Sequence, residues 1–257
     1  MSLQFQKFKA LHGDSNLFVL PNAWDARSAQ LFEENNFPAV GTSSAAVATS
    51  LGYEDGEGMP LDDYLFVIRR ILASVKIPFT VDMEMGYGKT REHIRENILK
   101  VAYLGVAGIN IEDSVIRNSK RALQDADEFA KTIEYIKNGL SSKNLACFIN
   151  LRCDTYILGV KDPLKETRRR LGLYNNSGAD GIFLPCITDP NDIADAVAHT
   201  TLPLNVMCIP GLPDFDTLNK LGVKRASMGP FMQGKVYGAI GALSQNINSI
   251  KNFTPIL

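Results

Sequence analysis

The chain has 257 residues, of which 45% are hydrophobic and 21% are charged, with 27 Lys and Arg against 28 Asp and Glu. The resulting net charge of −1 excludes a strongly basic nucleic-acid-binding surface, and the apolar share is sufficient for a large core. No stretch approaches the roughly 18–20 apolar residues that a membrane span needs, so we expect no membrane partner and no nucleic-acid partner.

The cysteines and the N-terminal residues predict a cytoplasmic location. Cys147, Cys153, Cys186 and Cys208 are scattered and form no C-x-x-C motif, which is typical of a reducing compartment. The first twelve residues, MSLQFQKFKALH, lack the apolar core of a secretory signal.

Short apolar segments recur along the chain and predict strands that are buried on both faces of a parallel sheet. In chain order they cover 17–20, 39–42, 79–82, 108–111, 146–151, 181–184, 204–209 and 225–228. Helical patterns lie between them, and several begin with Asp or Pro as helix N-termini favour. These helices are predicted at 25–35, 62–75, 91–104, 125–138, 163–175, 189–198, 214–221 and 232–248.

The strand–helix pairs repeat with a period of roughly 30 residues, the size of one βα unit. Their number and spacing predict an α/β fold, a closed (β/α)8 or TIM barrel that forms a single domain over residues 1–257. An open doubly wound sheet is the alternative, but no G-x-G-x-x-G motif follows the first predicted strand.

Acidic residues concentrate where the predicted strands end, which is where such barrels place their active sites. Asp82 and Glu84 follow the third strand and Glu112 ends the fourth, so their side chains should point into one mouth. Three carboxylates in one place repel each other without a cation, and hard oxygen ligands suit Mg²⁺ or Mn²⁺. The alternative is that some of them cap helices or pair with Arg152; Asp25 and Asp113 fit that alternative equally well.

Arg152 lies within a predicted buried strand, where an unpaired guanidinium would be costly. It is either a structural partner of Asp154 or Glu112, or the residue that binds a substrate carboxylate, and we favour the second interpretation. The segment at 42–46, TSSAA, could hold a carboxylate or enolate oxygen through backbone N–H groups, or it could be a turn required only for packing.

Three other chemistries are disfavoured by the residues present. Every Lys falls in a loop, a helix or the approach to a strand, which argues against a Schiff-base aldolase. His12, His93 and His199 are isolated, so a zinc site is not expected. Cys153 and Cys186 lie near the predicted mouth but have no His partner that could activate a thiol nucleophile.

Across nearly its whole length the chain resembles the phosphoenolpyruvate mutase / isocitrate lyase superfamily. The motifs that carry the resemblance are LPNAWDARSA at 20–29, TSSAAVATSLGYEDG at 42–56, VDMEMGYG at 81–88, GINIED at 108–113, NLRCDT at 150–155 and GADGIFLP at 178–185.

The resemblance implies a Mg²⁺ site and a substrate site. By it, Asp82 binds the metal with Glu84 and Glu112 around it and Asp55 as a further acidic residue. Substrate contacts fall on Trp24, Ser43, Ser44, Ala45, Asp82 and Arg152. Members cleave or form C–C or P–C bonds next to a 2-oxo acid through a metal-stabilised, pyruvate-like enolate. They usually form homo-oligomers, so a dimer or tetramer is expected here, with exchange of the last helix left open.

The segment that follows the fourth strand departs from the family pattern. Lyases carry Lys-(Lys/Arg)-Cys-Gly-His there, whereas the stretch at 114–121 reads SVIRNSKR and has neither Cys nor His. Mutases carry a Lys and an Asn two apart; here Asn118 and Lys120 appear with the two residue types exchanged. We therefore take Arg152, Glu112, Asn118 and Lys120 as the candidate catalytic residues.

The sequence thus predicts a Mg²⁺-dependent enzyme acting on a small 2-oxo or 2-hydroxy (di)carboxylate, with C–C lyase or decarboxylase activity favoured. Phosphonopyruvate hydrolase or phosphonomutase activity is the alternative within the family. A non-catalytic barrel that binds a metal–carboxylate ligand is the alternative from another class.

Overall fold

The computed structural model of the chain describes residues 2–117 and 120–257. Its main sheet contains nine parallel strands. They are β1 (Phe18–Leu20), β2 (Asn22–Ala23), β3 (Val40–Thr42), β4 (Phe79–Asp82), β5 (Gly108–Glu112), β8 (Phe148–Arg152), β9 (Gly181–Leu184), β10 (Leu204–Met207) and β11 (Arg225–Ser227). Neighbouring strands in the sheet follow the order β1-β11-β10-β9-β8-β5-β4-β3-β2.

The sheet curls into a barrel because β1 and β2 are two halves of one strand, divided at Pro21. β1 pairs with β11 on one side and β2 pairs with β3 on the other. Proline has no backbone N–H to donate, which interrupts the ladder at that point without changing the chain direction. The predicted (β/α)8 barrel is thereby confirmed.

Ten α-helices occur in the described part of the chain, and eight of them match the predicted ones to within a few residues. They are α1 (Leu3–Gly13), α2 (Ala26–Glu34), α3 (Ser44–Leu51), α4 (Leu61–Leu72), α5 (Arg91–Tyr103), α6 (Ala126–Ser142), α7 (Pro163–Tyr174), α8 (Pro190–Ala198), α9 (Phe215–Lys220) and α10 (Phe231–Ile250). A short 3₁₀ turn, Thr254–Ile256, follows α10.

Side-chain caps explain where several helices begin. Asp25 accepts a hydrogen bond from the Ser28 amide at the start of α2, so the helix-cap interpretation of Asp25 is correct. The helix predicted at 62–75, whose first residue Asp62 was expected to cap it, begins instead at Leu61 after Pro60 and has no side-chain cap.

Three elements lie outside the predicted set. Helix α1 covers the N-terminal end of the barrel, where Phe8 packs edge-on against Phe148 and His12 stacks on the same ring. Helix α3 begins directly at the end of β3, within the TSSAA segment that was expected to be a turn. The strands β6 (Ser114–Arg117) and β7 (Lys120–Leu123) form an antiparallel pair after β5.

None of the helices in the described ranges combines the length and the apolar character that a membrane crossing requires.

We predict that Phe8→Ala destabilises the protein by about 3–5 kcal/mol, since Phe8 is fully buried where α1 meets the barrel. Leu3→Ala in the same helix is the control: Leu3 is 64% exposed, and we expect a change within about 0.5 kcal/mol. Urea unfolding measures both. A loss below about 1 kcal/mol for Phe8→Ala would show that α1 does not seal the barrel.

Candidate active site

A cavity of about 160 Å³ opens at the C-terminal ends of the barrel strands. Four of the predicted acidic residues line it, and so does Arg152. Its lining consists of Asn22, Ser43, Ser44, Ala45, Asp55, Asp82, Glu84, Asn110, Glu112, Arg121, Arg152, Ile157, Phe183, Met207, Ser227, Gly229 and Pro230. The structure therefore brings together the residues that the strand ends predicted.

Hydrogen bonds hold both the backbone and the carboxylate of Asp82 in place. Its backbone N–H donates to the Thr42 hydroxyl at 2.9 Å, and its carbonyl accepts from the Tyr64 hydroxyl at 2.9 Å. Its carboxylate accepts from the Ser44 hydroxyl at 2.9 Å, at the first turn of α3. Because Ser44 begins a helix, the positive end of the helix dipole also faces this carboxylate.

Glu84 lies just beyond β4 in a left-handed conformation, with φ of 47°. Its two oxygens accept from the Glu57 amide at 2.6 Å and from the Tyr87 hydroxyl at 2.9 Å. Glu57 in turn accepts from the Tyr87 amide, and both of these residues also have positive φ. The left-handed conformation is unfavourable for a non-glycine residue, and three such residues lie close together here. Backbone strain of this kind concentrates at functional sites.

Glu112 lies on the strand next to β4, where its amide donates to the Glu84 carbonyl at 2.8 Å, and its carboxylate sits between two arginines. Arg121 donates to its Oε1, and Arg152 Nη1 lies 2.7 Å from its Oε2. The Arg152 contact lacks hydrogen-bond geometry, so the buried Oε2 has no hydrogen-bond donor among the described residues. Asp154 completes the cluster: it accepts from Arg152 Nε at 2.6 Å and from the Ser114 hydroxyl at 2.5 Å.

The remaining carboxylates of the cavity have no ion pair with any described residue. Asp55, Asp82 and Glu84 line the cavity without an ion pair, while both arginines contact Glu112 and Asp154. Burial raises the pKa of Asp82 above its usual value, against the opposing charge of Arg152. Burial, followed by the charges of Asp82 and Asp55, raises the pKa of Glu84 to about 7.

This charge distribution fits a divalent cation bound mainly through water. No three His, Cys, Asp or Glu side chains in residues 2–117 and 120–257 converge closely enough to ligate one ion. Mg²⁺, however, usually keeps several waters and takes only one or two carboxylates directly. Asp55, Asp82 and Glu84, together with the Glu112 oxygen that accepts no hydrogen bond from a described residue, are oxygen ligands suited to such a hydrated ion.

Several predicted site residues lie elsewhere. Trp24 is buried away from the cavity lining, with its ring 6.4 Å from that of Tyr237, so the structure does not place it at the substrate. Lys120 is exposed and also outside the lining, and Asn118 lies outside the described residues. Ser43, Ser44 and Ala45 do line the cavity, but as the start of α3.

Arg121 is the site residue that was not predicted. In the β6–β7 hairpin it pairs with Ile116, whereas Lys120 pairs with Arg117, so Lys120 and Arg121 face opposite sides. In residues 120–123 exposed and half-buried positions alternate, which distinguishes Arg121 from Lys120. The alternation can be used only once the segment is known to be a strand.

Asp113 belongs to the structural alternative. It is fully buried, and it accepts from Arg170 at 2.8 Å and from the Tyr174 hydroxyl at 2.7 Å. Its other oxygen accepts from the Asp154 amide at 2.9 Å, which ties helix α7 to the strand ends that carry the site.

The family model of phosphoenolpyruvate phosphomutase matches residues 8–248. The chain belongs to the phosphoenolpyruvate mutase family. A Mycobacterium tuberculosis protein of uncharacterised function is 35% identical over 237 residues, covering 91% of this chain and 86% of its own length.

Solved structures agree with this family membership. A Burkholderia cenocepacia J2315 protein named only in general terms as a lyase/mutase is 31% identical, with a TM-score of 0.91, covering 98% of this chain and 90% of its own. A phosphonopyruvate hydrolase solved with oxalate and Mg²⁺ has a TM-score of 0.87 over 99% of this chain and 90% of its own, at 20% identity, which shows the shared fold. The superfamily includes lyases, oxaloacetate decarboxylases, a phosphonopyruvate hydrolase and phosphoenolpyruvate mutases.

We predict that Glu84→Gln stabilises the protein at pH 8 in the presence of EDTA. The folded pKa of about 7 lies above the ordinary value of 4.5, so stability is lost as the pH rises from about 4.5 to about 7, and the loss stays constant above that. The neutral amide removes that loss, which amounts to roughly 3 kcal/mol at most.

Thermal unfolding between pH 5 and 8 measures the effect. The difference between wild type and Glu84→Gln should be small near pH 5 and grow toward pH 8. Glu34→Gln is the control, since Glu34 is an exposed carboxylate. A difference that is constant with pH would show that Glu84 is ionised throughout.

Proposed function

We propose that this protein is a Mg²⁺-dependent enzyme that acts on a small 2-oxo or 2-hydroxy (di)carboxylate, or on a phosphonate analogue, and cleaves the C–C or P–C bond that joins the pyruvate-forming unit to the rest of the molecule. The observation that carries the proposal is that one cavity holds both the unpaired carboxylates Asp55, Asp82 and Glu84 and two arginines. A cation and an anionic ligand together satisfy both groups.

The acidic side would hold the metal, with Asp82 as the direct ligand and Asp55, Glu84 and Glu112 acting through water. Mg²⁺, or Mn²⁺ in its place, supplies a Lewis acid for the oxo and carboxylate oxygens of the ligand. The Ser44 hydroxyl keeps the Asp82 carboxylate oriented for that task.

The arginine side would orient the substrate. Arg152 is only 14% exposed and lines the cavity. Its Nε and Nη2 donate to Asp154 at 2.6 and 3.4 Å, and its Nη1 lies 2.7 Å from Glu112 Oε2. A planar guanidinium held in this way binds a carboxylate in a bidentate manner. The two earlier interpretations of Arg152 are therefore compatible: its acidic neighbours position it for an anionic ligand.

The β6–β7 hairpin would exclude water from the cavity. Arg121 fastens it to Glu112, and the Ile116 side chain lies against Gly56 in the loop that carries Asp55. A Cβ added at Gly56 would be 2.6 Å from Ile116 Cδ1, so glycine permits this close approach. Closure over bound substrate is a common use of such a segment.

C–C bond cleavage is favoured over P–C cleavage because the cluster of two arginines beside Glu112 suits a dicarboxylate. Release of pyruvate from oxaloacetate, 2,3-dimethylmalate and phosphonopyruvate, with and without Mg²⁺, tests this preference. Turnover of phosphonopyruvate alone would assign P–C chemistry. Mg²⁺-dependent binding of a substrate analogue without turnover of any candidate would instead identify a non-catalytic barrel.

We predict that Asp82→Asn lowers the affinity for oxalate in the presence of Mg²⁺ by about 100-fold or more, because the principal metal ligand loses its charge. Isothermal titration calorimetry measures the affinity, and the melting temperature should change little. Asp127→Asn, which neutralises an exposed carboxylate in α6, should leave the affinity unchanged. Wild-type affinity in Asp82→Asn would remove this residue from the metal site.

We also propose that the chain forms a homo-oligomer through helix α10. Only Gln233 is buried in this 20-residue helix, and its exposed apolar residues include Ile240 at 55% and Leu243 at 39%. An exposed apolar helix face of this size usually packs against another surface. Because members of the family often exchange their last helix, we infer that a second copy of this chain covers it.

Replacing both Ile240 and Leu243 with Asp should therefore shift the protein to the mass of one chain in light scattering. Phe66→Asp is the control, since Phe66 is also exposed but lies on α4. An oligomer that survives the double substitution would assign assembly to another surface.

The cysteines support the expectation of a reducing, cytoplasmic location. All four are free, and Cys147 and Cys153 are buried. A reporter fusion assayed for its compartment tests this part of the proposal.

A further inference from the structure

A fully buried arginine lies inside the barrel, directly below the cavity. Arg225 on β11 is 0% exposed, and it has no carboxylate within ion-pair distance among the described residues. Its Nε donates to the Ser227 hydroxyl at 3.2 Å and its Nη2 donates to Asn110 Oδ1 at 3.2 Å, while Nη1 has no partner in the described chain. Burying an uncompensated charge costs several kcal/mol, so this position calls for an explanation.

The surroundings of Arg225 direct its action toward the cavity. The Phe8 ring of α1 lies 5.9 Å from its guanidinium carbon and closes the barrel from below. Asn110 and Ser227, the two residues that receive its hydrogen bonds, both line the cavity above. Arg225 therefore contacts the cavity lining through these two side chains.

The arginine fixes the orientation of the Asn110 amide. Asn110 Oδ1 accepts from Arg225 Nη2 and also from Asn150 Nδ2 at 2.9 Å. Arginine has no acceptor atom, so the amide atom that faces it must be the oxygen, which removes the usual ambiguity between amide oxygen and nitrogen. The Asn110 Nδ2 group is consequently the one left to face the cavity.

Asn22 provides the contrast, because it lines the same cavity but is occupied on both sides. Its Oδ1 accepts from the Gly229 amide at 2.9 Å, and its Nδ2 donates to the Thr42 carbonyl at 2.7 Å. Asn110 Nδ2, by comparison, has no acceptor among the described residues. Of these two asparagines, Asn110 is the one whose Nδ2 makes no hydrogen bond with a described residue, so both of its N–H groups are available to a bound molecule.

We propose that Asn110 is a ligand-binding residue, whose Nδ2 donates a hydrogen bond to an oxygen of the carboxylate or oxo group of the bound molecule. Arg225 is its positioning residue. Asn110 pairs in register with Asp82 on the neighbouring strand, about 4.8 Å away, so an oxygen held near Asp82 lies beside this donor. The inference rests on the proposed function, since it assumes an oxyanion ligand in this cavity.

The test measures the affinity for oxalate in saturating Mg²⁺ by calorimetry. Asn110→Ala should raise the Kd by about 10- to 100-fold, the value of one hydrogen bond to a charged group. The Kd for Mg²⁺ alone should stay unchanged, because the amide nitrogen is not a metal ligand. Asn191→Ala, an exposed asparagine on α8, is the control and should bind oxalate like the wild type.

Arg225→Met should weaken oxalate binding by a similar factor, because the Asn110 amide is then held only by the Asn150 amide, whose own Oδ1 has no partner and which can turn with it. In the Asn110→Ala background the same substitution should cost less than about 3-fold, since the two residues act as one unit. Arg225→Lys retains one donor to Asn110 Oδ1 and should recover most of the affinity, and it serves as the second variant if Arg225→Met does not fold.

The outcomes separate this inference from the proposed function. Absence of Mg²⁺-dependent oxalate binding in the wild type overturns the proposed function, and the inference with it. Wild-type binding together with a change of less than 3-fold in Asn110→Ala overturns the role of Asn110 alone. A further loss of 10-fold or more from Arg225→Met in the Asn110→Ala background overturns the positioning role of Arg225.

Discussion

Like charges gathered in a buried cavity are the constraint on which the site depends. The pKa values of Asp82 and Glu84 are raised chiefly because the barrel mouth removes both side chains from water; the charge of Asp55 raises both further, and that of Asp82 raises the pKa of Glu84. Folding alone does not favour this arrangement, since a barrel closed by apolar residues would be more stable. The hydrogen bonds from Ser44 and Tyr87 to these carboxylates reduce the repulsion without neutralising it. A site of this kind is prepared for a cation.

The two arginines of the cavity, Arg152 and Arg121, are held by neighbouring acidic residues that do not neutralise them fully. Arg152 and Arg121 share Glu112, and Asp154 fixes the Nε of Arg152. Asp154 is held by the amide-to-carboxylate bond to Asp113, which is anchored by Arg170 on α7. The orientation of Arg152 thus depends on a chain of contacts that leads to the outer helix layer.

The barrel interior also carries charge below the site. Arg225 lies between the aromatic cluster of α1 and the floor of the cavity, and it fixes the Asn110 amide. Helix α1 therefore has two roles: it buries Phe8, and it keeps water from reaching Arg225 from below. The same residues that stabilise the closed end of the barrel define the polar floor of its open end.

The sequence by itself determined the architecture and most of the acidic side of the site. Strand and helix patterns repeat at the spacing of βα units, and in a parallel barrel every strand ends at the same face, so Asp82, Glu84, Glu112 and Arg152 had to meet. Local patterns could not show that TSSAA starts a helix, because its small residues carry no apolar periodicity. They also could not distinguish Lys120 from Arg121, since the side that each residue faces is set by the pairing of β6 with β7. The contact between Arg225 and Asn110 became visible in the fold alone, because the two residues are 115 positions apart in the chain.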